Sequence, residues 1–281
     1  MNKCLKLREG EYLPETGMQY PEDDPFAKLL PEDTVKDISF DGSYPFLDES
    51  LKFKLGRTLV YTLFSFISDI RQHLVFGIRY KGREVLRKYR EELSQGPVCV
   101  CNHCYRLDGH AVSRLLHKRL WIPMLPEHIK GRDAFVLRHF GGIPLPEDAA
   151  GMRKFNEAFD TLHSRREWIH VFPEGRNWHY YKPLKPFITG AFTMAYRYGC
   201  PILPLNISYR ERKGIYKLFA PACIPLITIT VGEPIFPDTS KPRKTEVLRL
   251  LETAHAEICS LGGIIVNPWP AVWNGNQSGN I

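Results

Sequence analysis

Apolar residues recur along this chain at two periods. The runs 98–101, 169–172, 202–207 and 226–231 are short and nearly continuous, as strands buried on both faces are. The stretches between them follow a helical period. Met152, Phe155, Phe159 and Leu162 share one face of 148–166, and Val247, Leu250, Leu251, Ala254 and Ile258 share one face of 245–260. A third helix is predicted over Gly190–Tyr198, closed by Gly199 and leading directly into the 202–207 strand. A fourth is predicted over 109–120, with Asp108 as its first capping residue. Alternating strands and helices of these lengths predict an α/β fold: a mixed, mostly parallel sheet of about six or seven strands flanked by helices.

The first eighty residues follow neither pattern. Residues 1–50 are rich in Pro, Asp and Glu and predict an irregular acidic arm, packed on the body or mobile. From 51 to 76 an apolar, aromatic stretch is flanked by Lys52, Lys54, Arg57, Arg71 and Arg79, the composition of an amphipathic interfacial helix; a buried core helix fits the composition as well. The expected organisation is therefore an arm (1–50), an amphipathic membrane-facing helical segment (51–78), one main domain (79–266) and a tail (267–281). The longest uncharged apolar run, 58–68, falls short of the roughly 20 residues needed to span a bilayer. No apolar signal segment follows Met1, and the seven cysteines are odd in number and scattered. Both features point to a cytoplasmic protein with free thiols, associated with membrane only peripherally.

Charge sharpens this picture. The arm holds twelve Asp and Glu against five Lys and Arg, a net of −7, so the remainder carries +14 of the chain's +7 total. A body that basic suits an anionic membrane surface, a phosphorylated small molecule or nucleic acid. Trp178, Tyr180 and Tyr181 lie beside Arg176 and Lys182, but no nucleic-acid motif accompanies them, and packing accounts for the aromatics.

Two polar segments stand at the ends of predicted strands, where ligands gather in open α/β sheets. The first is Asn102-His103-Cys104-Tyr105-Arg106-Leu107-Asp108 after the 98–101 run. On a regular helix His103 and Asp108 would point about 140° apart, so contact between them requires a turn. Such a pair makes a general base with its orienting carboxylate, able to deprotonate a substrate hydroxyl without a serine nucleophile. The second is Phe172-Pro173-Glu174-Gly175-Arg176, where Arg176 has the forked donors that clamp phosphate and Gly175 permits close backbone approach. Each alone also fits an ordinary structural turn.

Together, His103 with Asp108, Phe-Pro-Glu-Gly-Arg about seventy residues later, and the 201–205 segment Pro-Ile-Leu-Pro-Leu resemble the glycerol-3-phosphate and lysophosphatidate (1-acylglycerol-3-phosphate) acyltransferase family, over roughly residues 80 to 207. The resemblance implies an acyltransferase domain in which His103 is the base on the acceptor hydroxyl and Asp108 its partner. It implies substrate-binding roles for Asn102, Glu174, Gly175 and Arg176, an apolar strand at 201–205 on the acyl-chain side, and transfer of a fatty acyl group from acyl-CoA or acyl carrier protein to a lysophospholipid in phospholipid biosynthesis, with no cofactor. The sequence departs from the family where Gly142-Ile143-Pro144-Leu145-Pro146 ends in Glu147 instead of arginine, where Ile188 follows Phe187 in place of lysine, and where Tyr105 replaces a frequent serine. Lys182, Lys185 and Arg138 are candidate substitutes for the missing phosphate ligand. Another lysolipid or glycolipid acceptor, or a non-catalytic lipid-binding or basic nucleic-acid-binding protein, are the alternative readings.

Cys99, Cys101 and Cys104 invite a zinc or redox reading, but no second ligand pair accompanies them and no metal is expected. His110, His117, His179 and His255 have no evident carboxylate partner in sequence and are read as structural or surface residues.

Overall fold

The computed structural model describes residues 4–29 and 36–273. In chain order the elements are β1 (Lys6–Leu7), α1 (Leu51–Leu74), β2 (Arg79–Lys81), α2 (Arg83–Lys88), α3 (Arg90–Leu93), β3 (Val98–Cys101), α4 (Asp108–Leu116), β4 (Ile122–Met124), α5 (Pro126–Lys130), α6 (Ala134–Phe140), β5 (Gly142–Pro144), α7 (Ala149–Ser164), β6 (Ile169–Val171), α8 (Gly190–Tyr198), β7 (Ile202–Arg210), a 3-10 turn (Gly214–Leu218), β8 (Leu226–Val231), α9 (Arg243–Leu261) and β9 (Ile264–Val266). The central sheet has five strands in the order β2-β8-β7-β3-β6, parallel throughout except for β7 against β8. Beyond β6, Trp121 bridges Ile169 and leads into the parallel pair β4–β5. The expected six or seven strands are thus five in one ladder and two joined to it by that bridge.

The continuous apolar run of β3 follows from its central place, since all four residues are fully buried. Val98 and Val100 face a core formed with Phe159, Phe192, Leu250 and Ile258, while Cys99 and Cys101 face one formed with Leu115, Leu203 and Leu205. Helices α7, α8 and α9 cover the first face; α4 covers the second. The Asp148 carboxylate caps α7 by accepting the Gly151 N–H at 2.6 Å. On that helix Phe155, Phe159 and Leu162 are buried as their period requires, but Met152 is exposed. Gly199 closes α8 in the left-handed region (φ 62°), as expected. Helix α4 ends at Leu116, four residues earlier than expected, because His117 adopts a left-handed φ of 52°.

The arm meets the body at several points; residues 30–35 and the tail beyond 273 lie outside the described residues. Phe40 and Phe46 enter the core beside Phe155. Phe40 and Glu147 exchange two hydrogen bonds, Phe40 N–H to the Glu147 carboxylate at 3.0 Å and Glu147 N–H to the Phe40 carbonyl at 3.1 Å. Farther up the arm, Tyr20 donates to the His179 carbonyl, and the Ala27 carbonyl accepts from the Trp178 indole.

Helix α1 resolves the two readings of its composition by having two apolar faces. Ser50 caps it, accepting from Phe53 N–H at 3.2 Å. The inner face docks on the body: Tyr61 stacks on Phe140 at 5.1 Å and bonds Ser113, Phe64 packs on Phe140 and His110, and Gln72 has no exposed surface. The outer face leaves Leu51, Leu55, Leu59, Leu63, Phe66, Ile67, Ile70 and Leu74 in solvent, one stripe at a spacing of three and four residues. Among the described residues no helix is long and apolar enough to cross a membrane.

Candidate active site

Strand β3 ends by delivering Asn102 and His103 into a tight turn. The Asn102 side chain continues the ladder that the backbone abandons: its Nδ2 donates to the Ile207 carbonyl at 2.9 Å and its Oδ1 accepts the Ile207 N–H at 2.7 Å. Asn102 is buried and committed on both ends, which makes it a fastener of β3 to β7 instead of the substrate contact expected from sequence. The chain then turns so that His103 Nδ1 lies 2.6 Å from Asp108 Oδ2, the contact that the five-residue spacing required. The same carboxylate oxygen accepts the Cys104 N–H at 3.2 Å, while Oδ1 lies 2.8 Å from the Gly109 N–H. Asp108 therefore stands inside the first turn of α4, and Leu107 occupies the capping position expected for it. One carboxylate oxygen reaches back to the His103 ring and the Cys104 amide, and the other meets only the adjacent Gly109 amide.

The imidazole is partly exposed, with 18% of its side-chain surface accessible, whereas Asp108 is buried at 4%. Phe172 lies flat against the ring, centroids 4.1 Å apart and planes 18° from parallel, restricting its rotation about the Asp108 bond. Phe172 in turn meets the edge of His170, which is fully buried with both ring nitrogens unbonded among the described residues. Burial pushes the His170 pKa down to about 3, so that imidazole is neutral.

The second motif stands beside the first, but Glu174 plays a different part from the one expected. It is buried, and its Oε1 accepts the backbone N–H of His103 at 3.0 Å. Its other oxygen lies 3.8 Å from Lys185 Nζ, so it faces protein on both sides and not a substrate. Burial pushes the Glu174 pKa up, opposed first by the Lys185 charge. Gly175 sits at φ 71°, where glycine is favoured, and a Cβ there would press only on the end of the Ile188 side chain, Cδ1 at 3.0 Å. Arg176 is partly exposed and gives one donor to Glu127 on α5 at 3.2 Å.

The substitutes considered for the missing arginine are all engaged elsewhere. Lys182 donates to the Gly262 carbonyl at 2.6 Å and to Glu11 at 3.1 Å. Lys185 donates to the Arg176 carbonyl at 2.5 Å, and Arg138 donates to the carbonyls of Phe46, Gly142 and Pro45. Glu147 itself accepts Lys130 Nζ at 2.5 Å, besides holding Phe40. Trp178 is fully buried against Tyr20 and Tyr181, the packing role expected of it.

Among the described residues, no group of three or more His, Cys, Asp or Glu side chains could hold a metal ion. Burial holds the Cys101 and Cys104 thiols well above their ordinary pKa, so neither is a thiolate. Gln72 was missed by sequence reasoning and nothing near it signals a role. It accepts the Tyr105 hydroxyl at 3.1 Å, donates to the Leu107 carbonyl at 3.2 Å and lies 3.3 Å from His110 Nδ1, fastening α1 to the catalytic turn. His110 does have a carboxylate within reach, Asp69 at 3.7 Å, which folding brings across from α1.

An imidazole held by a buried carboxylate at the ends of parallel strands is the apparatus of enzymes that activate a hydroxyl. Residues 77–208 match the family model described as Acyltransferase, an interval that contains the whole His103 turn and the Glu174 loop. The match covers a little under half of the chain, and the likeness to the acyltransferase family is a property of that segment. Among solved structures the chain is similar to the crystal structure of the 1-acyl-sn-glycerophosphate (LPA) acyltransferase PlsC from Thermotoga maritima. The TM-score is 0.51 and the identity 18%, over 77% of this chain and 84% of that one, a likeness of fold. No curated protein matches the chain.

Proposed function

We propose that this enzyme moves a fatty acyl group from a thioester of coenzyme A or acyl carrier protein to the free hydroxyl of a lysophosphatidate-type glycerolipid at a membrane surface, in phospholipid synthesis. The observation that carries the reading is the 2.6 Å contact of His103 Nδ1 with Asp108, which holds the proton on Nδ1 and leaves Nε2 basic. Nε2 takes the hydroxyl proton as the acceptor oxygen attacks the thioester carbonyl. The new C–O bond forms, the C–S bond breaks, and the imidazolium returns its proton to the departing sulfur. The Asp108 carboxylate, in contact with the ring, balances the transient imidazolium.

Arg176 supports a phosphorylated acceptor, because a guanidinium has five donors and Glu127 occupies one of them. The outer stripe of α1, together with a body of net charge +14, supports docking on an anionic lipid surface, the apolar side chains entering the headgroup boundary. The carriage of Glu147 by Lys130 favours a second acceptor class, a lysolipid or glycolipid without a phosphomonoester, since the cation nearest that position is already neutralised.

The test is a panel of lysolipid acceptors offered to purified enzyme with one labelled acyl-CoA, and in parallel with acyl carrier protein thioester. Acceptor-dependent thiol release that disappears in His103→Ala is expected. Full thiol release by His103→Ala would remove His103 from the chemistry, and a preference for acceptors lacking a phosphomonoester would favour the second class.

A further inference from the structure

The chemistry above leaves one buried charge unused. Lys185 has no exposed surface, and a lysine so placed needs its ammonium compensated. Its partners all come from the loop that follows β6. Nζ donates to the Arg176 carbonyl at 2.5 Å, lies 3.8 Å from Glu174 Oε2 and stands 4.6 Å from the centre of the Trp178 ring.

From Glu174 the contact runs on to the base, because its other oxygen accepts the His103 backbone N–H at 3.0 Å. His103 is thus gripped by two buried carboxylates, Asp108 at the ring and Glu174 at the main chain. The two differ in what keeps them ionised. Asp108 accepts from the His103 ring and from the Cys104 and Gly109 amides, whereas Glu174 has the His103 amide and the Lys185 charge.

Burial alone drives Glu174 toward its neutral acid, and Lys185 is the largest influence opposing it. A neutral carboxyl accepts a hydrogen bond about half as strongly as a carboxylate and brings a buried O–H that needs an acceptor of its own. We propose that Lys185 is a positioning residue for acyl transfer, holding Glu174 as the carboxylate that fixes the backbone of His103. The proposal rests on the reading of His103 as the base. The other charged or titratable groups facing the pair are Arg176, Asp24, the His103 ring, Cys101, Cys104, Tyr181, Tyr209 and Cys259, and of these Arg176 is the permanent cation.

Lys185→Met keeps an unbranched stem of similar length and removes the charge. Near neutral pH, kcat is expected to fall about 10- to 100-fold, the scale of a base displaced by a fraction of an ångström, with both KM values held within about twofold. Because the loss comes from protonation of Glu174, kcat should climb back as the pH is raised. Glu174→Gln combined with Lys185→Met leaves a neutral acceptor for the His103 N–H and no charge at either position of the pair. That double variant should lose the added pH dependence and exceed Lys185→Met in kcat at neutral pH.

The His103 amide resonance gives a readout that needs no turnover: in Lys185→Met it should titrate with Glu174, and in the double variant it should not. Wild-type protein without acyl transfer would defeat the base reading while this amide still tested the grip. A Lys185→Met enzyme with wild-type kcat and an unmoved amide resonance would overturn the proposal. So would a loss equal at every pH and left unrelieved in the double variant.

Discussion

Asp108 has its oxygens divided among the His103 ring and the Cys104 and Gly109 amides, so the consequences of altering it can be separated. In Asp108→Asn an amide NH2 turned toward His103 cannot accept from Nδ1–H, and the tautomer with the proton on Nε2 is favoured, which cannot act as base. Thiol release should fall about 10²- to 10⁴-fold with the fold retained, as read by activity beside circular dichroism. Asn102 predicts the opposite division. Asn102→Ala abandons the N–H and carbonyl of Ile207, each unsatisfied buried group costing about 1–3 kcal/mol. The urea midpoint should therefore drop while KM on the surviving folded enzyme stays unchanged. Sequence made His103 and Asp108 legible because their contact lies within one turn. It could not show that Asn102 and Glu174 face inward, since both partners, Ile207 and the His103 amide, are brought in by folding.

At the scale of elements, β3, β8, α8 and α9 were legible nearly to the residue, because apolar period and a closing glycine are local signals. The end of α4 was not: its stop is a left-handed His117, a conformation uncommon for any residue other than glycine. In α1 the apolar content was legible, yet which face docks is decided by Phe140, His110 and Ser113, all distant in sequence. The outer stripe makes a clean test, since Leu59 and Leu63 are 61% and 56% exposed and contribute little to the fold. Leu59→Glu with Leu63→Glu should leave the melting temperature nearly unchanged, as surface changes do within about 0.5 kcal/mol. Binding to anionic vesicles in a sedimentation assay should weaken by at least about tenfold, because each leucine withdrawn from lipid forfeits roughly 1.5–3 kcal/mol. Retained vesicle binding would remove α1 as the docking element.

Across the whole molecule, the net charge of the body is offset where the arm lies on it, as Lys182 with Glu11 and Arg165 with Glu49 illustrate. What governs stability toward acid is instead a set of histidines buried without charge. Burial pushes His110 and His255 down to about 4 and His170 to about 3, from an ordinary value of 6.5, and lowers His163 and His179 in the same direction. Between the unfolded and folded values the unfolded chain binds more protons, so stability is complete above pH 6.5 and declines as the pH falls toward 4. The three most displaced residues all act in the same direction, so their losses add as the pH falls. Glu174 works the other way, since its raised pKa lets the folded state take up a proton first, but it is one group against several. The depressed carboxylates, Glu147 and Glu246 among them, add to the loss only below their ordinary value of 4.5. Urea midpoints measured from pH 7 down to 4.5 should therefore fall steadily before the depressed carboxylates begin to lose their contribution. His170→Phe should flatten the slope, because His170 has neither ring nitrogen bonded and a phenyl ring fills its place without a proton to gain. A midpoint constant over that range would mean that these imidazoles reach solvent or find acceptors, and that the face of the sheet beneath α4 is less closed than its packing indicates.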